Sequence, residues 1–341
     1  MTRRSARESF SAIRWTTALT ALLLLVLIVP SAWADGVQLG AAANYALLFE
    51  GGGNNTLQIT NVTTNTTGGS TGVAAGQGGG IGNIGDGGTG KVSLSGPGTI
   101  NGNLDVAAAN MGQVTGGGVT ITGSINYGVG AVTMALNTVN ALNTTLGGLA
   151  GKSVSVNGNT TINASAGTFS SSGPGYTNVS VFAVSSFSLN NGETLTINGD
   201  GTHTVVLNFT SNTNFHGNVA LTGGLTPDEV VFNWVGGSAL SGGPTLDINN
   251  GGGSPSNGTF LSQGIFLDPN GAISVVNSNV TGRIFGGDSH DFQYVSGSNI
   301  TAPTGSSTPP PVPEPASLVL LGTGILALGS FLRRRKVALG V

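Results

Sequence analysis

"AISVVNSNVTGRIFGG", residues 272–287, decides how the long middle of this chain is read. Ile273, Val275, Val280 and Ile284 alternate with polar neighbours toward one core, as half-buried strands do. Asn277 and Asn279 stand where the backbone must turn, and Gly282, Gly286 and Gly287 let one coil approach the next closely. Such a rung is built to stack, and its residues need no chemistry to explain them.

The same grammar recurs outward in both directions. "TLQITNV", "KVSLSG", "GVTITGSI", "KSVSVNG", "VSVFAVSSFSL", "TLTING", "TVVLNF", "NVALTG" and "VVFNWV" are short apolar alternations bounded by Gly and Asn, which supply positive-φ turns. "GTINGNLDV", "SVSVNGNTTI", "TLTINGDGT" and "NFHGNVALTGG" follow or precede a strand with the same tight Asn/Gly corner. Short rungs closed this way predict a mainly β fold, an irregular right-handed parallel β-solenoid. A β-sandwich joined by Asn-Gly hairpins is the competing reading. One segment departs from the pattern. In "AVTMALNTVNALNTTLGGLAG", Leu136, Val139, Leu142, Leu146 and Leu149 form a helical stripe ended by Gly147, Gly148 and Gly151. The spacing predicts one helix over 131–149, laid against a sheet face.

The 341 residues include 59 glycines and no cysteine, so stability has to come from a regular hydrogen-bonded scaffold rather than disulfides. Between Asp35 and Thr308 stand twelve acidic residues against Lys91, Lys152 and Arg283, a net charge of −9. The whole-chain value of −3 conceals this, because eight of the eleven bases lie in the two terminal segments. A body of that sign does not bind nucleic acid through its phosphates.

Residues 1–34 carry Arg3, Arg4, Arg7 and Arg14, then an apolar run, then Ala32-Trp33-Ala34, the small-x-small pattern of a signal-peptidase site. They read as a secretory signal, handled by the Sec machinery and signal peptidase, with a lone membrane anchor as the alternative. Residues 35–302 are the β-rich ectodomain. At the other end, 303–315 form an extended Pro/Ser/Thr linker, and 316–332 are seventeen uncharged, mostly apolar residues, enough for a short transmembrane helix. Arg333, Arg334, Arg335 and Lys336 then hold the 333–341 tail on the cytoplasmic side.

Candidate chemistry in the middle is sparse. "GGDSHDF" brings Asp288, Ser289, His290 and Asp291 together in sequence. Neighbours on a strand or turn point different ways, so a polar turn is the first reading and a metal site at Asp288 and Asp291 the second. His203 and His216 could stack on successive rungs. A polysaccharide lyase on a β-helix combines a calcium-binding acidic cluster with an arginine or lysine base, and the last half of this ectodomain has Arg283 alone; Asp200, Asp247, Asp268 and Asp288 are too scattered to pair as a glycosidase needs. "GQGGGIGNIGDGGTG", residues 76–90, reads as a flexible insertion in an early loop rather than a phosphate cradle. Thr120-Ile121-Thr122 and Thr194-Leu195-Thr196 each put two hydroxyls on one face, the step an ice-binding ladder repeats. Tyr127, Tyr176, Trp234 and Tyr294 are the aromatics available to stack on sugar rings, with Trp234 more at home in the core. Calcium is the one cofactor that the acidic charge suggests, as a bridge to acidic polysaccharide.

Pro313-Glu314-Pro315, an apolar helix and then "RRRK" resemble the PEP-CTERM sorting signal of Gram-negative bacteria, over about 25 of 341 residues. The resemblance implies recognition and cutting by an exosortase, an integral-membrane, transpeptidase-like cysteine protease, and association with exopolysaccharide, biofilm or floc matrix; a plain tail anchor is the alternative. "VQLGAAANYALLFEG", "GPGTINGNLDVA", the helix, "VVFNWV" and "GIFLDPNGAISVVNSNVTGRIFGGDSHDFQYVSG" are similar to the choice-of-anchor A domain, some of whose relatives are labelled collagen-binding. The start and the helix also resemble the ice-binding β-solenoid family, whose members carry a helix beside a three-faced solenoid. Neither resemblance supplies a catalytic residue. Together they imply an exported, non-catalytic protein of the cell surface or extracellular matrix, passing through the inner membrane and meeting extracellular polysaccharide. The alternatives are an adhesin for carbohydrate or protein, a carbohydrate-active enzyme, and an ice-binding protein.

Overall fold

The computed structural model describes residues 36–51, 55–60, 81–82, 91–109, 111–235, 246–249, 261–286, 290–295 and 298–302. The cleavage site at Ala32 and Ala34, the linker, Pro313-Glu314-Pro315, the apolar tail segment and the basic finish lie outside the described residues, as do Gly287 and Asp288.

Strands form where the alternation placed them, at Thr56–Thr60, Lys91–Ser95, Lys152–Asn157, Thr194–Asn198, Thr204–Phe209, Asn218–Thr222, Val230–Trp234 and Ile273–Val276. They pair in parallel from coil to coil. The exceptions among the described residues are Gly36–Val37 and Thr168–Gly173, which both run antiparallel to Tyr176–Ser188. Parallel stacking with side-chain alternation is a solenoid; a sandwich of hairpins would be antiparallel.

Coils share a 13-stranded sheet, a 7-stranded sheet and shorter sheets on a third face. The central strands of the 13-stranded sheet are covered on both sides. In Thr204–Phe209 every residue is buried, with Val205, Leu207 and Phe209 in the solenoid interior and Val206 in a second core under the helix. Burial on both faces is why "TVVLNF" and "VVFNWV" are nearly continuous apolar runs. Inside, rings continue from coil to coil: Phe209 on Trp234 at 4.7 Å and Phe232 on Phe266 at 4.9 Å, both stacked. Such pairs add about 0.5–1.5 kcal/mol each beyond burial.

The helix α1, Gly130–Gly147, buries Val132, Leu136, Val139, Leu142 and Leu146 against that sheet. Leu149, expected as the last residue of the stripe, lies beyond the helix end and is half-buried. A polar network sits inside the apolar contact. Asn143 Nδ2 donates to Asn233 Oδ1 and to the Trp234 carbonyl, both at 2.7 Å. Asn233 Nδ2 donates to Asn208 Oδ1, and Asn208 Nδ2 to the Leu146 carbonyl, both at 2.8 Å. Each amide satisfies the next, so the register of helix on sheet is specified as well as its burial.

The stacking order does not follow the sequence. Coils from 152 onward build toward residue 302, and the strand Asn279–Gly286 then pairs with Leu47–Phe49, near the beginning of the body. Phe292–Val295 likewise pairs with Leu57–Thr60. From Leu47–Phe49, mid-stack, the chain climbs to Ile125–Tyr127, returns along α1 to the far end, and climbs again in the same direction until its last coils close on its first. Close stacking at one corner depends on Gly264 and Gly282, which are in register at φ 140° and 151°. A Cβ at Gly282 would overlap the Gly264 carbonyl. The expected insertion at 76–90 needs correcting in part. Ile81–Gly82 is a strand between Leu47–Leu48 and Leu104–Asp105, so a glycine-rich stretch supplies a rung.

Candidate functional site

The outward side chains of the 7-stranded sheet form one continuous row. Asn214, Asp247, Ser274, Gln293, Gln58, Ser93 and Thr115 are paired in that order across seven strands. Neighbours in such a row stand about 4.8 Å apart, so amides, hydroxyls and one carboxylate repeat along the stack. On the third face, Thr222 Oγ1 donates to Asn198 Oδ1 at 3.0 Å, and Asn198 Nδ2 donates to Asn163 Oδ1 at 3.1 Å. Both are surfaces of repeated hydrogen-bonding groups.

The sequence-derived candidates separate rather than converge. His203 Nδ1 meets Asp200 Oδ2 at 2.7 Å, whereas His216 Nε2 meets Asp247 Oδ2 at 3.1 Å, so each histidine engages its own carboxylate. Burial alone would raise the Asp200 carboxyl, but hydrogen bonds from the Thr202 and His203 backbone and side chains outweigh it and hold it at about 2. Asp291 Oδ1 accepts from the Thr56 N–H at 2.7 Å, tying the last coils to the first. Asp288, its companion in the alternative metal reading, lies outside the described residues. Among the described residues, no three His, Asp or Glu side chains converge as a metal site.

Arg283 is not exposed to a substrate. It is fully buried, with Nε on Asp228 Oδ1 at 3.1 Å and Nη1 donating to the Ala43 and Tyr45 carbonyls at 2.7 and 2.9 Å. It staples the seam. Asp228 is raised by burial, an effect that the Arg283 charge opposes and Glu229 assists. Asp268 is fully buried, and burial raises its carboxyl well above the usual range, a shift that the Gly271 backbone N–H only partly opposes.

Of the four aromatics weighed for sugar stacking, three are core residues, Trp234 as its sequence context suggested. Trp234 is fully buried and donates from Nε1 to Thr213 Oγ1, while Tyr176 and Tyr294 are 5% and 7% exposed. Tyr127 is half-buried. Phe169, which the sequence reading missed, is 53% exposed and stacks on His203 at 4.4 Å. Its isolated place in "TFSSSG" carried no periodic signal. The two Thr-x-Thr steps also lie apart: Val119–Ile121 pairs with Gly98–Ile100, and Thr194–Asn198 belongs to another sheet. A concavity of about 290 Å³ beside the α1 C-terminus is lined by Ser153, Ser185, Asn208, Thr210 and small or apolar residues, with no ionisable side chain.

Residues 311–336 match the family model of the PEP-CTERM protein-sorting motif. The motif indicates an exported protein that passes through a membrane-anchored intermediate and is processed by an exosortase. No curated protein matches the chain. Among solved structures, an ice-binding protein from the Antarctic ascomycete Antarctomyces psychrotrophicus is similar at 15% identity, covering 80% of this chain and 100% of its own, with a TM-score of 0.45. An ice-binding protein from an Arctic yeast is similar at 14% identity, 80% and 96% coverage and a TM-score of 0.44. The DUF3494 domain of Shewanella frigidimarina ice-binding protein 1 is similar at 13% identity, 78% and 97% coverage and a TM-score of 0.40.

Proposed function

We propose that this protein is a structural component of the cell surface or extracellular matrix that works by presenting its solenoid and not by catalysis. The observation that carries this reading is the sorting motif at 311–336, which follows a proline-rich spacer after a rigid β body. In this reading 1–34 are removed after Sec export, 35–302 form the ectodomain, 303–315 the spacer, 316–332 the membrane helix and 333–341 the cytoplasmic tail. Exopolysaccharide is the partner, hydrogen-bonded by rows such as Asn214 to Thr115, with calcium bridging acidic sugars to a body of net charge −9. A non-catalytic role is supported by the concavity without an ionisable group, by the histidine-paired Asp200 and Asp247, and by the buried Arg283.

The test is mass spectrometry of C-terminal peptides from matrix and membrane fractions of the host. A chain ending near Pro315 in the matrix is the expected result; peptides running through Lys336 in the inner membrane would remove the main support. Ice binding is a second reading, favoured by one observation, the regular parallel face of seven strands. Its outward row mixes Asn, Asp, Ser and Gln with one Thr, so no thermal hysteresis is expected, and clear ice shaping would reverse the order of the two readings.

A further inference from the structure

The coil at 114–127 ends the stack. Its strands Val114–Gly116, Val119–Ile121 and Ile125–Tyr127 are each the last of their sheet among the described residues. One coil further in, the residues paired with its apolar side chains are sealed. Val92, Ile100, Leu104 and Val106 are at most 2% exposed, whereas their partners Val114, Ile121 and Tyr127 are half-buried and Ile125 is 39% exposed. Among the described residues, no further coil covers them. Edge strands are ordinarily protected by charge or proline. Here there is neither: no Asp, Glu, Lys, Arg, His or Pro occurs between Asp105 and Lys152.

We propose that this end is an interface with a second copy of the same chain, two molecules meeting end to end about a two-fold axis. Three features select that occupant. An exposed strand edge is completed by another strand edge, and a two-fold axis sets like strands antiparallel, which is hydrogen-bonding geometry the backbone accepts. Two bodies that each carry −9 repel wherever their carboxylates approach, and the 114–127 coil is an uncharged place to meet. The described termini lie elsewhere: Gly36–Val37 pairs with Tyr176–Thr177 in the coils at the far end, and Asn299–Thr301 pairs with Asn279–Thr281 near mid-stack. The far end is no match for this one, since Val156, Ile162 and Ala164 are already sealed there and Lys152 charges the edge. Growth therefore stops at two.

Sedimentation velocity over a dilution series tests this on the exported protein in the form the host produces. Wild type is expected to show the mass of two chains, dissociating on dilution. Gly117→Lys puts a charge on the end where an added Cβ meets nothing within 4 Å and no positive φ is strained, so it is expected to halve the mass with unchanged thermal unfolding. Ile125→Lys is expected to do the same. A wild-type monomer at every concentration overturns the proposal, as does a dimer that neither lysine divides. A monomer whose 114–127 amides resist hydrogen exchange also overturns it, assigning the cover to another segment of the same chain. Assemblies that keep growing with concentration overturn the two-fold form.

Discussion

Asp268 and Arg283 are two buried ionisable side chains with different surroundings: Arg283 meets a carboxylate and two carbonyls, whereas burial dominates at Asp268. The Asp268 carboxyl is raised by burial, so the native state binds a proton that the unfolded chain releases near pH 4. That contribution to stability is present below the unfolded pKa and falls as pH rises toward the folded pKa. Asp268→Asn should therefore raise the melting temperature at neutral pH and flatten its fall with pH; an equal wild-type and variant profile would contradict this. Asp200 has the opposite sign. Held at about 2, it stabilises above the ordinary carboxylate pKa and loses that contribution as pH falls toward 2. Arg283→Met removes the donor shared by Asp228, Ala43 and Tyr45. A loss of about 3 kcal/mol is expected in urea unfolding, with the amides of 43–49 exchanging fastest. No residue-level pattern announced these roles, since Arg283 in "TGRIF" resembles an outward strand residue and its acceptors lie 55, 238 and 240 positions earlier.

At the scale of elements, α1 and most strands were legible because their side-chain periods are local. Leu136, Val139, Leu142 and Leu146 formed a stripe in the sequence and a buried face in the fold. Asn143 interrupts that stripe in sequence and is what orients the helix in space. Asn143→Leu or Asn233→Leu should cost about 1–3 kcal/mol for each amide or carbonyl left unpaired. Hydrogen exchange across 130–147 should quicken with the solenoid strands still protected, and a uniform change along the chain would argue against a docking role. Gly282→Ala is expected to prevent folding, through the Gly264 carbonyl and φ 151° together. Soluble, cooperatively melting protein would contradict the close corner. Ile81–Gly82 was not legible as a strand, because two residues among glycines contain no period.

The whole molecule is closed by its seam. A solenoid stacked in chain order can build coil by coil, but here Leu47–Phe49 waits for Asn279–Gly286 and Leu57–Thr60 for Phe292–Val295. Such long-range pairing slows folding and makes it cooperative. Chains truncated after Asp268 should stay protease-sensitive along 36–60, and protection of that segment without the last coils would show the seam to be dispensable. By itself the sequence determined the period-two strands, the single helix, the glycine corners and the sorting motif, because each is written in residues a few positions apart. The tertiary structure alone decided the order of the coils, the burial of Arg283 and Asp268, the separation of the histidines, and which coil was left uncovered. Those depend on which distant segments share a ladder, and alternation orients a side chain toward a core without naming the strand beside it.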